Sequence, residues 1–310
     1  MKKESASKRA ATLALYGSGG VGVFSAGLCS LIAAQGLLAR RSIGTTNDRP
    51  PSGDGLYGDD LAGSTVSFLL LGDSAAVGYG MTDVDDTPPA MIGWGLSHLL
   101  DRPVQVTSHA VVGAQTSELH TQIDMGLEAK PNVALIVVGT NDVTHRVLTT
   151  ESARRLGEVV RRLREAGCEV VVGTCPDLGT VQPLPQPLRQ LARVWSRRLA
   201  AKQAVATLQA GGRVVSLAGL LGEVFATKAD IMFGIDGFHP SRTGYANMIS
   251  VVIPTLAAAI RDEDLAAAYA DQPRDIMSVT DAANEAAQHG GTELVRTGRW
   301  AAIRRRKSTH

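Results

Sequence analysis

The chain has 310 residues, a formal charge of +1, and 44% hydrophobic but only 4% aromatic residues. That length holds one large α/β domain with extensions. The near-neutral balance and the scarcity of rings exclude a basic nucleic-acid-binding surface or a platform for stacked bases.

Lys2, Lys3, Lys8 and Arg9 precede a stretch without charge from Ala10 to Ala39, which Arg40-Arg41 closes. As a helix this stretch would reach about 45 Å, more than the roughly 30 Å hydrocarbon core of a bilayer. No small-x-small cleavage site with a polar mature start follows it, and Cys29 has no lipobox before it. Residues 1–41 are therefore read as an uncleaved signal anchor. The excess of positive charge before the stretch turns the remainder outward, giving a single-pass membrane protein with an extracytoplasmic domain, or alternatively a secreted one. A soluble Ala/Gly-rich helical hairpin is the competing reading. Gly17-Ser-Gly-Gly-Val-Gly22 has the glycines of a dinucleotide loop but follows no strand, and is set aside. Residues 42–64, rich in Pro, Gly and Asp, read as a linker.

Strands and helices then alternate. Thr65–Leu71 is an apolar run that stops at Gly72-Asp73-Ser74. Pro88-Pro89 opens a helix to about Leu100, Val104–Ser108 is a second strand, and a helix runs from about Thr116 to Ala129. Val133–Val138 is a third strand of the continuous apolar kind that is buried on both faces. A helix from about Glu151 to Ala166 carries Leu156, Val159, Val160 and Leu163 on one side and charges on the other. Cys168–Gly173 is the fourth strand. At about 3.3 Å per residue its flanking Cys168 and Cys175 lie near 23 Å apart, beyond disulfide reach. A loop with Pro183, Pro185 and Pro187 leads into a long helix through Leu208. Arg213–Ser216 is the fifth strand, and a helix from Ser241 to about Ile260 closes the domain. This alternation predicts a parallel sheet covered by helices on both faces. The domain is set at residues 65–260. Residues 261–310 form a partly helical or disordered tail ending in Arg304-Arg305-Arg306-Lys307, a solvated terminus or a contact for an anionic surface.

In a parallel sheet the residues after each strand share the carboxyl edge. These are Gly72-Asp73-Ser74, Val111-Val112-Gly113-Ala114, Gly139-Thr140-Asn141-Asp142 and Asp236-Gly237-Phe238-His239. Together they supply a hydroxyl, a bare backbone N–H, a side-chain amide, and an imidazole three residues after a carboxylate. Acyl transfer needs this inventory: a base for a serine that is otherwise a weak nucleophile, a carboxylate to orient the base, and donors for an oxyanion. Asp142-Val-Thr-His145 repeats the Asp-x-x-His spacing and makes His145 a second candidate base. Asn141 before it suits a donor at the strand end, so His239 is preferred. His98, His109 and His120 read as structural, and Asp73 as a residue that orients the turn. No His, Cys or carboxylate cluster has metal spacing, and no cofactor is expected.

At these residues the chain resembles the GDSL/SGNH hydrolase family, over roughly residues 65–260. Gly72-Asp73-Ser74, Gly113, Gly139-x-Asn141-Asp142 and Asp236-x-x-His239 stand in the family's order. Ala75 stands where the family commonly has leucine. The resemblance implies an α/β, flavodoxin-like three-layer sandwich with a five-stranded parallel sheet. It implies Ser74 as nucleophile, Asp236 and His239 completing the triad, and an oxyanion hole of Ser74, Gly113 and Asn141. The activity implied is that of a serine esterase or lipase acting on a small-molecule, lipid or glycan acyl ester. An acyltransferase with the same triad and an inactive hydrolase-like binding module remain open. Substrate choice is assigned to the loops Tyr79–Thr87 and Asp177–Leu188, with Val77, Met81 and Leu178 expected to line an acyl pocket.

Overall fold

A computed structural model of the chain describes residues 30–31, 34–36, 50–266 and 293–295. Most of the expected anchor, the glycines from Gly17 to Gly22 and the basic end at Arg304–Lys307 lie outside the described residues. The parallel strands are β2 (Val66–Gly72), β3 (Val104–Ser108), β4 (Val133–Val137), β5 (Glu169–Gly173) and β6 (Arg213–Val215). They pair in the order β3-β2-β4-β5-β6. The chain thus moves outward in one direction from β2 to β3, then reverses, which is the flavodoxin-like arrangement and creates a crevice at the carboxyl edge beside β2.

Two short antiparallel strands extend this five-stranded core to seven. β1 (Gly55–Tyr57) pairs with β3, and β7 (Glu293–Val295) pairs with β6. Both lie in stretches expected to be linker and tail. With three residues each, they are too short to show the period-2 pattern by which a strand is read from sequence.

The sheet separates two apolar cores by strand alternation. Phe68 and Leu70 of β2 join one, and Leu69 and Leu71 join the other; all four are fully buried. Helices α2 (Pro88–Leu100) and α9 (Arg242–Ala266) supply the first core with Ile92, Leu96, Met248 and Val252. Helices α3 (Leu119–Gly126) and α5 (Thr149–Glu165) supply the second with Ile123, Leu156, Val159 and Leu163. The outer face of α5 is laced by solvent-exposed pairs such as Arg155–Glu151 at 2.7 Å, which water screens so that they add little to stability. Its folding is driven by the buried stripe. Helix α6 (Leu188–Gln209) packs along α5. By length and composition Arg242–Arg261 could cross a membrane, but more than half of its apolar window is buried inside the domain, and it serves as a core helix. Cys168 and Cys175 are buried at opposite ends of β5 and form no disulfide.

Two buried glutamines pin the carboxyl ends of the strands. Gln122 accepts from the Gly72 N–H at 2.8 Å and donates to the Gly72 carbonyl at 2.9 Å. Gln203 accepts from the Cys175 N–H at 2.7 Å and donates to the Val138 carbonyl at 2.9 Å. Each side-chain amide satisfies two main-chain groups that the ladder leaves behind.

Candidate active site

β2 ends in a sharp reversal. Gly72 has φ 141°, and Asp73 then caps the four-residue helix α1 (Ser74–Val77), accepting from the Ala75 N–H at 3.0 Å. The small run Ser-Ala-Ala forms this single turn, and Gly78 closes it in a left-handed conformation. Ser74, at the first helical position, is buried. Among the described residues its N–H has no internal acceptor, as expected for a first-turn amide.

The segment after α8 (Ala229–Met232) brings His239 to Ser74 across 165 positions of sequence: Nε2 lies 3.1 Å from Oγ. Nδ1 of the same ring lies 2.6 Å from Asp236 Oδ2. A carboxylate only accepts, so Nδ1 carries the proton and Nε2 is free to accept from the serine hydroxyl. The second carboxylate oxygen accepts from the Phe238 and His239 N–H groups, each at 2.9 Å. Burial would raise the Asp236 carboxyl, but these hydrogen bonds and the neighbouring imidazole hold it below its ordinary value. The His239 ring lies between Tyr79, at a centroid distance of 4.3 Å, and Phe238, edge-on at 4.9 Å. Tyr79 is in turn fixed by the buried Tyr245 hydroxyl, which donates to its carbonyl at 3.0 Å.

The loop after β3 is tied to the end of β4. Asn141, on α4 (Thr140–Thr144), donates from Nδ2 to the Ala114 carbonyl at 3.1 Å, and Asp142 accepts from the Thr116 N–H at 3.0 Å. These contacts hold Gly113, which is exposed with φ 84°. The clamp by Asp142 is legible only as part of the Gly-x-Asn-Asp motif. His145 is exposed, and its Nδ1 lies 2.8 Å from the Asn141 carbonyl of its own helix, so the ring next to Ser74 is that of His239.

A cavity of about 70 Å³ opens beside Ser74 and His239. Leu178 lines it, but Val77 and Met81 do not. Val77 ends the single turn of α1, and Met81 packs against the main core. The walls come instead from α7 (Leu217–Thr227) and the segment after it: Leu217, Leu221, Phe225, Phe233 and Phe238. From sequence alone these apolar positions are indistinguishable from core. Among the described residues no group of His, Cys, Asp or Glu is placed to hold a metal ion.

Asp73 gives the site a pH signature. Burial pushes its carboxyl up to about 6 from 3.8, against the pull of the Ala75 hydrogen bond and the His239 ring. Between those values the folded state keeps a proton that the unfolded chain has lost. Stability therefore falls as pH rises through this window, by at most about 3 kcal/mol at about 1.4 kcal/mol per unit. Asp236, shifted the other way, stabilises above its unfolded value and loses that contribution as pH falls. Urea unfolding at a series of pH values should show wild type losing stability relative to Asp73→Asn between about pH 4 and pH 6.5. A difference that stays flat across that range would mean that Asp73 titrates normally.

Comparison with known proteins agrees with this architecture. The profile of the GDSL-like Lipase/Acylhydrolase family matches residues 70–246. A GDSL-like esterase of Mycobacterium tuberculosis is 35% identical over 271 residues, 82% of this chain and 86% of that protein. Among solved structures, a lipase/acylhydrolase from Enterococcus faecalis is 19% identical and superposes with a TM-score of 0.50, covering 62% of this chain and 96% of its own. An acetyl-xylooligosaccharide esterase from Geobacillus gives a TM-score of 0.50 at 16% identity, covering 62% and 94%. These two share the fold. The chain belongs to the GDSL-like lipase/acylhydrolase family of ester-bond hydrolases.

Proposed function

We propose that the chain hydrolyses carboxylic esters through an acyl-enzyme on Ser74. The observation that carries this reading is the hydrogen-bond relay from Ser74 Oγ through the His239 ring to Asp236. In this mechanism Oγ attacks the acyl carbon while His239 Nε2 takes its proton, and Asp236 stabilises the imidazolium. The oxyanion of the tetrahedral intermediate is received by the Ser74 and Gly113 N–H groups and by the Asn141 Nδ2 proton not engaged with Ala114. Collapse expels the alcohol, which takes the proton from His239. Water then adds to the acyl carbon while giving a proton to the same nitrogen, and the second collapse breaks the bond to Oγ, which takes that proton back as the acid leaves. The GDSL-like esterase of Mycobacterium tuberculosis supports hydrolysis as the outcome.

The test uses the full chain with a p-nitrophenyl ester and a fluorophosphonate label. Expected are turnover and a single adduct on Ser74. Asn141→Ala should lower kcat about 10²-fold or more with KM little changed, because its donor acts on charge that develops in the transition state. An unlabelled Ser74 would sink the proposal. Products formed mainly with an added alcohol instead of water would replace hydrolysis with acyl transfer.

A further inference from the structure

We infer that the carboxyl edge of the sheet, where Ser74 lies, rests on a lipid bilayer and dips its exposed apolar side chains into it; this goes beyond the esterase reading and does not depend on it. A third glutamine clamp fixes the direction. Gln35 is buried, donates from Nε2 to the Gln186 carbonyl at 2.7 Å and accepts from the Leu188 N–H at 3.3 Å. These groups stand where α6 begins after β5, which in a parallel sheet is the carboxyl edge. The loop they close abuts the Asp236–His239 segment, since a Cβ on Gly237 would stand 2.8 Å from Pro183 Cγ. Gln35 thereby ties the end of the uncharged stretch Ala10–Ala39 to the edge that holds the site. Shortened to end before this clamp, the stretch is still long enough as a helix to cross the roughly 30 Å hydrocarbon core. An edge tied there lies within about a turn or two of helix of the membrane surface.

The same edge carries apolar side chains that face solvent. Five of the eleven large hydrophobic residues exposed among the described ones stand on its loops: Val84 after α1, Val111 and Val112 after β3, Leu148 before α5, and Ile235 beside Asp236. Leu148 is 73% exposed, and Ile235 is fully so. The Val111 N–H donates to the Gly72 carbonyl at 3.1 Å, which holds its loop at the end of β2. Apolar residues exposed singly are ordinary, but four separate loops that bring them to one rim make a surface. Such a rim fits the boundary between headgroups and acyl chains, where an apolar face sinks about 5–10 Å. Exposed Asp83, Asp85 and Arg146 flank it with charge of both signs, so the contact is apolar and does not select anionic lipid.

The test places a nitrobenzoxadiazole fluorophore on single cysteines of the full chain, reconstituted in phosphatidylcholine vesicles. Val112→Cys, Leu148→Cys and Ile235→Cys report from the rim, and Met125→Cys, exposed at the opposite end of α3, is the control. Cys29→Ser removes the other reactive thiol, while Cys168 and Cys175 are buried. Iodide in the water should quench the rim labels at least about threefold less than the Met125 label, because an apolar face that sinks into the boundary leaves solvent. Phosphatidylcholine carrying a doxyl group on its acyl chain should quench the rim labels and spare the control. Both results should be unchanged when phosphatidylglycerol is added. The three rim positions lie on separate loops, so a variant that fails to fold leaves two others to decide. Rim labels as open to iodide as the control, or a chain that stays off the vesicles, overturn the inference. Rim labels shielded from iodide but untouched by the doxyl lipid also overturn it, and assign the cover to a second copy of the chain. Quenching by doxyl lipid only when phosphatidylglycerol is present replaces apolar contact with charge attraction and overturns it as well.

Discussion

Ser74→Ala is expected to abolish ester hydrolysis, lowering kcat by at least about 10⁴-fold, or about 5.5 kcal/mol of barrier. In the proposed mechanism, removing Oγ leaves no atom to carry the acyl group, and the His239 ring then has only water to activate. His239→Ala should cost about as much, because a hydroxyl at its ordinary acidity is a poor nucleophile without Nε2 at 3.1 Å. The double variant should be no worse than either single one, since the two groups act as a unit. His145→Ala is the control. Its ring is turned to its own helix backbone, and activity should stay within about threefold. The measurement is single-turnover and steady-state hydrolysis of one p-nitrophenyl ester. Full activity in Ser74→Ala, or a His145→Ala loss matching that of His239→Ala, would require another nucleophile or base.

Gly72→Ala is expected to cost at least about 3 kcal/mol, a large part of a typical domain's stability. A Cβ at this residue would stand 1.9 Å from the Val137 carbonyl oxygen, which belongs to the paired strand β4 and cannot retreat without opening the ladder. The backbone also sits at φ 141°, where a side chain is strained. Gly80→Ala separates the two causes. Its φ of 89° is likewise positive, but no atom lies within 4 Å of the added Cβ. It should cost only about 1 kcal/mol of backbone strain. Urea midpoints for the two variants decide the matter. A Gly72→Ala midpoint equal to that of Gly80→Ala would mean that the steric contact is absent.

Much of the fold was legible because each parallel strand of the core is a short apolar run with turn residues after it. Val133–Val137 is buried at every position and reads as such without any partner. The residues brought together at Ser74 were legible for a related reason. Motifs that follow parallel strands must meet at one edge, and Asp-x-x-His fixes its own local geometry. What stayed hidden depends on tertiary placement. Gln122 and Gln203 look like ordinary polar helix positions until their amides are seen on the backbone of another element. The cavity wall on α7 was missed because Leu217, Leu221 and Phe225 are spaced as any buried helix face would be. Val77 and Met81 attracted attention only by standing near Ser74 in sequence.

The two glutamine amides also bear on motion. Strand ends usually fray into loops whose main-chain groups are held by water, and such groups exchange and open readily. Here the last residue of β2 and groups just beyond β4 and β5 are sealed by side chains from α3 and α6, so each of these strand ends is tied to a helix. The floor under Ser74 is thereby stiffened. In the proposed reaction, the segments left to move are the exposed ones around Gly113 and Ile235. In amide exchange, Gly72 and Cys175 belong with the slowest protons of the domain, within a few residues of some of its fastest.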